Sequence, residues 1–507
     1  MHQALLVPEV VLHIFAHVNE IGEPSYAERP LSRQTLAALA TTCKTFYEPA
    51  MDFLWSDMNR LLPLLGCVTR LHPMIYPTTQ VSADESTRDQ CPFSSIRSLN
   101  ISTQQSWSRG IEPLSELERS QFLRHSCRVR TMSVSSDDEF HLLRSFPYDT
   151  CVFPNLLSLS WVIIFTRYLR FFLSPTLRSC YIALVQPDLA RHSIGTRCPA
   201  LEGLDIVTMG IVAQAPHLCE TIRSCKALVR LQCPPLNSVA WKHLSTIPTL
   251  LNVSIYQESF SGSLSRLDTH NLSFSTFLNV TTLRFYFSPI TDVIAVIQHS
   301  EFPSLKEFEL VDHILPGAEL LPLLRALSQC KACNTLENIA ISDDDPEVDE
   351  PSADSFAVTR ELLCFTQLRS LRLYVCCSIN PDNVSLFEAM SSWPQICSLS
   401  LSDPHRRPPQ VTFRGFFAAL SQCPHLHALH VEIDVANIDI NPKTESFQHT
   451  SLESIGYYSS PAVNAEAVAR IIFTMLPNVQ LADTWGDVNT HLKSLRASSS
   501  LQGADGG

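Results

Sequence analysis

The nine residues FPSLKEFEL, at 302–310, decide the fold of this chain, because closely related phrases return along most of its length. FPNLLSLSW (153–161), CPALEGLDI (198–206), FTQLRSLRL (365–373) and CPHLHALHV (423–431) share the pattern L-x-x-L-x-L behind a fixed prelude. Successive side chains of a strand point to opposite faces. The fourth and sixth positions of the phrase therefore share one face, and the third, fifth and seventh share the other. Each phrase predicts a short strand with one buried face.

Fifteen such units can be counted, with a mean spacing of about 27 residues. The third position is Ser or Thr in eight units, and in eight units Pro stands two residues before the first apolar position, where it ends the preceding helix. The first apolar residues are Ile96, Val129, Leu156, Leu177, Leu201, Leu228, Leu250, Val280, Leu305, Leu336, Leu368, Ile396, Leu426, Leu452 and Val479.

Helical patterns lie between the strand phrases, with apolar residues three and four apart. They are TDVIAVIQH (291–299), AELLPLLRALSQC (318–330), NVSLFEAM (383–390), FRGFFAALSQC (413–423) and AEAVARIIFTML (465–476). A strand and a helix of this size cannot bury a core alone, so each unit must stack on its neighbours. The pattern predicts a solenoid.

This solenoid resembles the leucine-rich-repeat superfamily, in its longer, helix-containing class. The resemblance implies an α/β fold with parallel strands on the concave face and helices on the convex face. We expect the repeats to occupy residues 93–490, after a linker at 61–92 and before a disordered tail at 491–507. The acidic run DDDPEVDE (343–350) is interpreted as a solvated loop, or alternatively as a contact for a basic partner.

The residues ahead of the repeats predict a small helical domain at 1–60. VPEVVLHIFAHV (7–18) has apolar residues at helical spacing, QTLAALATTCKTFY (34–47) predicts a second helix, and Pro49 opens a short third one. These helices carry more apolar surface than three short helices can hide, and we expect the surplus to be exposed at three positions. Those positions are Val11, Ile14 and Phe15.

This segment is similar to an F-box. The family's opening motif stands here as LVPEVVLHIF, its centre as LAALATTCKTFY and its closing pair as Leu54-Trp55. The resemblance implies binding to the Skp-type adaptor of a cullin-based ubiquitin ligase. It assigns contact and support roles to Pro8, Glu9, Val11, Leu12, Ile14, Phe15, Leu39, Cys43 and Trp55. The alternative is a helical cap that closes the first repeat of an interaction scaffold, with no link to a ligase.

Composition narrows the remaining functions. The net charge is −13, which disfavours nucleic acid or an anionic membrane as the main partner. We expect a cytoplasmic or nuclear protein, or one found in both, whose cysteines stay reduced. Phosphate-binding and nucleophile motifs are missing from the sequence, so we expect no enzyme and no cofactor. Metal binding is not expected at Cys330 and Cys333, nor at the cluster Cys423, His425, His427 and His430.

An unidentified protein target is expected on the outward positions of the strands. Tyr and Arg are frequent binding hot spots, and four tyrosines, including Tyr458, fall at the seventh position. Two other interpretations stay open: the tyrosines cover the strand edge, and Arg284 pairs with Glu309 across neighbouring strands. The predicted target-binding residues are Tyr256, Arg284, Tyr286, Glu307, Glu309, Arg372, Tyr374, His430 and Glu432.

Overall fold

The computed structural model divides the chain into two compact units. One holds the described residues up to 208 together with Glu220–Ala227, and the other holds 215–219 and the described residues from Leu228 onward. The structure describes residues 7–20, 29–76, 108, 110–163, 166–184, 193–208, 215–257, 267, 274–312, 315, 317–343, 355–375, 379–402, 408–456, 464–481 and 485–504.

Strands follow one another through the described residues at the predicted phrases. The first unit contains β1 (Asp57–Met58), β2 (Thr131–Val134), β3 (Ser158–Trp161), β4 (Ser179–Leu184) and β5 (Gly203–Thr208). The second contains β6 (Arg230–Cys233), β7 (Asn252–Tyr256), β8 (Thr282–Tyr286), β9 (Glu307–Asp312), β10 (Asn338–Asp343), β11 (Ser370–Tyr374), β12 (Ser398–Ser402), β13 (Ala428–His430), β14 (Ser454–Gly456) and β15 (Gln480–Leu481).

The strands of each unit form a parallel sheet in chain order, β1 to β5 in the first unit and β6 to β15 in the second. Thirteen of the fifteen predicted units begin their strand at the third position of the phrase. The fourth and sixth positions are buried, as Leu371 and Leu373 of β11 illustrate. The leucine-rich-repeat solenoid and its strand register are therefore confirmed. The unit of Ile96 lies outside the described residues, and β15 begins one position early.

The prelude of each phrase forms a tight turn that leads into the strand. The amide of Leu305 donates to the carbonyl oxygen of Phe302 at 3.4 Å, and the amide of Leu426 donates to that of Cys423 at 3.2 Å. Proline occupies the second position of these turns, where its fixed φ suits a type I turn. Its recurrence therefore reflects the turn as well as the end of a helix.

In the first unit the helical segments are short beyond the N-terminal three. The α-helices are α1 (Pro8–Glu20), α2 (Arg29–Thr42), α3 (Lys44–Ser56), α4 (Leu62–Leu65), α5 (His72–Ile75), α6 (Glu116–Leu123) and α7 (Ile194–Arg197), and α8 (Ala215–Ser224) contributes residues to both units. Single 3₁₀ turns cover Ser126–Arg128, Phe140–Ser145 and Leu169–Phe171.

In the second unit most repeats carry a regular α-helix. These are α9 (Ser238–Leu244), α10 (Ile290–Gln298), α11 (Gly317–Gln329), α12 (Ser355–Leu362), α13 (Asn383–Ser392), α14 (Phe413–Leu420), α15 (Ala465–Met475) and α16 (Gly486–Ala504), with a 3₁₀ turn at Lys331–Asn334. The five predicted helical patterns thus coincide with α10, α11, α13, α14 and α15.

Three boundaries differ from the expectations. The second helix begins at Arg29 and ends at Thr42, and the third begins at Lys44, because Cys43 adopts an extended conformation between them. The sheet already starts with β1, which pairs with β2, and residues 61–76 of the expected linker bury Leu64 and Leu65. Residues 77–92 lie outside the described part of the chain.

The C-terminal segment is helical as far as Ala504, so the expectation of a disordered tail is wrong over 491–504. α16 packs beside α15 and buries Val488 and Leu492. Its Arg496 donates to the carbonyl oxygens of Pro477 at 3.1 Å and Val479 at 2.6 Å, just before β15. Burial of these two side chains and the two hydrogen bonds fix the helix against the last repeat.

Candidate functional site

The three N-terminal helices close a small core of their own. Val11 and Phe15 of α1 are 2% exposed and pack with Leu36 of α2 and Ala50 of α3. The rings of Phe15 and Phe46 meet edge to face, with centroids 5.6 Å apart. The prediction that Val11 and Phe15 belong to an exposed surplus is therefore wrong. They are the core, because they lie four residues apart on the face of α1 that meets α2 and α3.

A second apolar face of α1 remains exposed beside this core. Val7 is 43% exposed, Val10 36% and Ile14 42%, while Leu12, which is 46% exposed, lies on another side of the helix. Val7, Val10 and Ile14 are three and four residues apart, so they form one stripe on the helix. The surplus of apolar surface thus exists, but it consists of these residues rather than of Val11 and Phe15. A helical wheel that separated the two stripes would have found Val7 and Val10.

The other residues assigned to adaptor binding are spread over the helices. Glu9 is exposed, and Leu39 is half-buried against the core. Cys43 is half-buried at the break between α2 and α3. Pro8 lies in the first turn of α1. Trp55 stacks on the ring of His125, with centroids 4.7 Å apart and planes 2° from parallel, which places it against the repeats.

Further contacts attach α3 to the first repeat. Arg128 bridges the carboxylates of Glu48 and Asp52 on α3. The amide of Arg130 donates to the carbonyl oxygen of Ser56 at 2.8 Å, immediately before β1 pairs with β2. Burial and the nearby Arg128 lower the pKa of His125, so its ring is neutral where it stacks on Trp55. The helical domain therefore also serves as the end piece of the solenoid.

The outward positions of the second unit align in rows across the sheet. The fifth positions form one row, Ser254, Arg284, Glu309, Ala340, Arg372, Ser400, His430 and Gly456, in strand order from β7. The seventh positions form a second row that places Tyr256 beside Tyr286 on β7 and β8, and Tyr374 on β11. The strand register thus divides the predicted target-binding residues into two groups.

The first group is paired internally. Arg284 contacts Glu307 at 2.8 Å and Glu309 at 3.1 Å, so the alternative pairing with Glu309 occurs and Glu307 joins it. The rings of Tyr256 and Tyr286 lie 6.3 Å apart on neighbouring strands. Burial and the nearby Glu309 raise the pKa of the Tyr286 hydroxyl. The charges of Arg284, Glu307 and Glu309 are thus paired within the cluster.

The second group is open. Arg372 and Tyr374 are exposed, and in its row Arg372 stands between the small residues Ala340 and Ser400. Among the described residues Arg372 has no ion-pair partner, and the outward positions of β10 to β13 carry no carboxylate. Those positions are Asn338, Ala340, Ser342, Ser370, Arg372, Tyr374, Ser398, Ser400, Ser402, Ala428 and His430.

Two of the predicted residues lie at the end of this face. His430 is half-buried, and a Cβ on Gly456 of the next strand would overlap its ring. Burial and then Arg372 lower the pKa of His430. Glu432 is buried, so its prediction as an outward residue is wrong: β13 ends at His430, and strand alternation does not reach it. Tyr458 lies outside the described residues.

The described part of the chain offers no cluster of three His, Cys, Asp or Glu residues that could hold a metal ion. Its cysteines are all free thiols. Burial raises the pKa of Cys198 and Cys423 to about 12, so both are protonated at neutral pH. Asp343, assigned to a solvated loop, is instead buried and accepts a hydrogen bond from the Leu315 amide at 3.0 Å. Within the described residues, no helix is long and apolar enough to cross a membrane.

No protein-family model matches the chain, and no curated protein matches it. Among solved structures it is similar to an LRR protein of Leptospira interrogans, with 13% identity over 74% of this chain and 93% of that one and a TM-score of 0.37. It is also similar to the yeast Rad7–Elc1 complex, with 16% identity over 73% of this chain and 88% of that one and a TM-score of 0.38. The Drosophila Toll–Spatzle complex shows 13% identity over 68% of this chain and 45% of that one, with a TM-score of 0.37. At these scores the similarities carry no functional argument.

Proposed function

We propose that this chain is a non-catalytic substrate receptor of a Skp–cullin–F-box ubiquitin ligase. Its helical domain binds the Skp-type adaptor, and the outward face of its repeats binds a protein target. Holding both raises the effective concentration of the ubiquitin donor near the lysines of the target. The observation that carries the proposal is the second apolar stripe along α1, where Val7, Val10 and Ile14 stay exposed although the core is already closed.

The apolar face is the part of the helical domain that attachment to the repeats does not explain. An end piece needs α3 and β1, which supply the contacts to the first repeat. Burying an apolar side chain is worth about 1.5–3 kcal/mol for a Val or Leu. Three such residues exposed in one stripe are typical of a surface that a partner covers.

The adaptor contact is tested with the variant Val10→Asp/Ile14→Asp in the full chain. We expect co-purification of a Skp-type adaptor to be lost, because a carboxylate would be buried in an apolar interface, while the melting temperature stays the same. The matched control is Val239→Asp/Val384→Asp, which makes the same kind of change at exposed residues of α9 and α13. Adaptor binding at the wild-type level by the α1 variant would show that the F-box assignment is wrong.

The target contact is proposed at Arg372 and Tyr374 rather than evenly along the face. Both are exposed, both lack neighbouring side chains of similar size, and Arg and Tyr are favoured at hot spots. We expect Arg372→Ala/Tyr374→Ala to lose co-purifying targets and retain the adaptor. The comparison variant Arg284→Ala/Tyr286→Ala removes the internally paired cluster and is expected to retain most of the targets. If the Arg284→Ala/Tyr286→Ala variant lost the targets and the Arg372→Ala/Tyr374→Ala variant retained them, the target would bind at β8 instead.

A scaffold without a ligase is the second candidate, favoured by the contacts of Arg128 and Trp55 that make the helical domain an end piece. It predicts a stable protein that binds targets but no adaptor. Deletion of residues 1–60 cannot separate the two functions, because it also removes β1 from the sheet. The point variants of α1 leave the attachment intact and therefore separate them.

A further inference from the structure

We propose that five arginines on the helical side of the first unit form a binding site for an acidic polypeptide segment. This arginine strip consists of Arg119, Arg144, Arg167, Arg170 and Arg197. It lies on the short helical segments of successive repeats, away from the outward strand positions, and it does not rest on the proposed ligase function.

The strip is held together by aromatic rings. The guanidinium carbon of Arg170 lies 4.5 Å from the ring centroids of both Tyr148 and Phe171, and that of Arg197 lies 5.9 Å from Tyr148. Arg167 lies over Tyr168 at 4.6 Å. Stacking of this kind restricts the side chains before a ligand arrives, so less conformational entropy is lost on binding.

Two further arginines extend the same cluster. Arg144 donates from Nε to the hydroxyl of Tyr168 at 3.2 Å. Arg119 of α6 lies 5.9 Å from the ring of Phe146, which itself packs 6.1 Å from Phe171. The five cations are therefore joined through one continuous set of rings rather than scattered over the surface.

The charge of the strip is not neutralised by the described residues around it. Of the five, only Arg197 has a carboxylate of a described residue within 4.0 Å, that of Asp149 at 3.1 Å, and the side chain of Asp149 is 89% exposed. Two other arginines of the same unit are matched, Arg70 with Glu118 and Arg178 with Glu202. In a chain of net charge −13, an unmatched group of arginines is a local exception.

The arrangement favours carboxylates over the bases of a nucleic acid. Bases bind proteins by stacking on aromatic faces, but both Tyr148 and Tyr168 already carry guanidinium groups of the chain itself. Arg170 and Arg119 each use one Nη1 donor on a backbone carbonyl oxygen, that of Arg167 and of Ser145, and the remaining in-plane N–H donors of the strip match carboxylate oxygens. A run of Asp or Glu side chains supplies such acceptors along a chain.

Fluorescence anisotropy of the full chain with labelled octaglutamate tests this site. We expect binding that weakens with salt and that falls about tenfold or more in Arg144→Gln/Arg167→Gln, both exposed residues. Octaglutamine should not bind. The matched control is Arg60→Gln/Arg130→Gln, which removes the same charge from exposed positions of the same unit outside the strip.

Two outcomes would overturn the proposal. One is equal octaglutamate affinity in the strip variant and the control variant, since the site would then lie elsewhere. The other is tighter, strip-dependent binding of an eight-residue oligothymidylate, which would make it a nucleic-acid site. Arg170→Gln is a second variant for the same comparison, and equal melting temperatures confirm that each variant is folded.

Discussion

The two units build the same strand but fill the helical side of their repeats differently. In the first unit β3, β4 and β5 begin 21 and 24 residues apart, and the described residues between them form one 3₁₀ turn and a four-residue helix. In the second unit β9, β10 and β11 begin 31 and 32 residues apart, and each interval accommodates an α-helix, of 13 residues in α11 and 8 in α12. In these two stretches the longer repeats hold the longer helices, although the 22-residue interval between β6 and β7 also holds the seven-residue helix α9.

The core residues differ accordingly. Where no α-helix covers the sheet, large rings occupy the space: Phe172 contacts Phe140, Phe153 and Trp161 with centroids 5.0–5.6 Å apart. In the second unit, aliphatic side chains of α11 such as Leu323 and Leu327 are buried. A short repeat thus replaces helix packing with aromatic volume.

The largest expected effect is in the aromatic core. Phe172→Ala should lower the free energy of unfolding by about 3–5 kcal/mol, because the rings around it are too rigid to close the cavity. Chemical denaturation measures the loss, and hydrogen exchange should place it in β3 to β5. The control is Phe387→Ala on α13, where the ring is 41% exposed. A loss of unfolding free energy below about 1 kcal/mol would mean that the aromatic side chains do not stabilise the short repeats in place of a packed α-helix.

The corresponding change in the aliphatic core should be somewhat smaller. Leu371→Ala or Leu399→Ala should each cost about 2–5 kcal/mol, since both side chains are fully buried and fewer atoms are removed. The two residues are register partners on β11 and β12, so the double variant should deviate from additivity. Denaturation curves measure both quantities. A cost under half a kilocalorie for either single variant would contradict the register.

Low pH should lower the stability of the first unit, by less than the core substitutions do. A hydrogen bond from Arg70, assisted by the Ser115 amide, lowers the pKa of Glu118 to about 2, below its ordinary value of 4.5. The stability from this carboxylate is therefore complete above pH 4.5 and is lost as the pH falls toward 2. Glu118→Gln should flatten the pH dependence of first-unit stability in that window. An unchanged slope would show that the pair contributes nothing.

The smallest effect is expected at the paired cluster on the strand face. Arg284→Gln should change stability by less than about 1 kcal/mol, because its contacts with Glu307 and Glu309 are partly exposed. Arg372→Gln should lower stability still less, because Arg372 has no ion pair with any described residue. Thermal melting of the two variants checks both. A larger loss at Arg372 would mean that it has a structural role.

The sequence predicted the repeat well because strand alternation and turn chemistry are local. The pattern L-x-x-L-x-L fixes which side chains are buried, and proline at the second position of the preceding turn marks where the strand begins. It failed at Glu432 because β13 stops two residues earlier, and strand length is not encoded in the phrase. β1 was missed because a two-residue strand has no periodicity.

The candidate sites were harder to predict because they depend on contacts between distant residues. α1 has two apolar stripes, and only the packing of α2 and α3 shows that Phe15 belongs to the core and Ile14 to the surface. The same holds for the arginine strip, where Arg144, Arg170 and Arg197 are far apart in sequence and no run of basic residues announces them. The net charge of −13 gives no indication of this surface.

The helix α16 and its Arg496 have a consequence for assembly. A parallel sheet that ends in an unpaired strand is a template on which another copy can add, and a solenoid repeats that template at its end. Here Arg496 occupies the carbonyl oxygens of Pro477 and Val479 beside the last strand. We therefore expect α16 to hinder addition of another copy at this end, and a chain truncated before Gly486 to associate more readily than the full chain, as measured by light scattering.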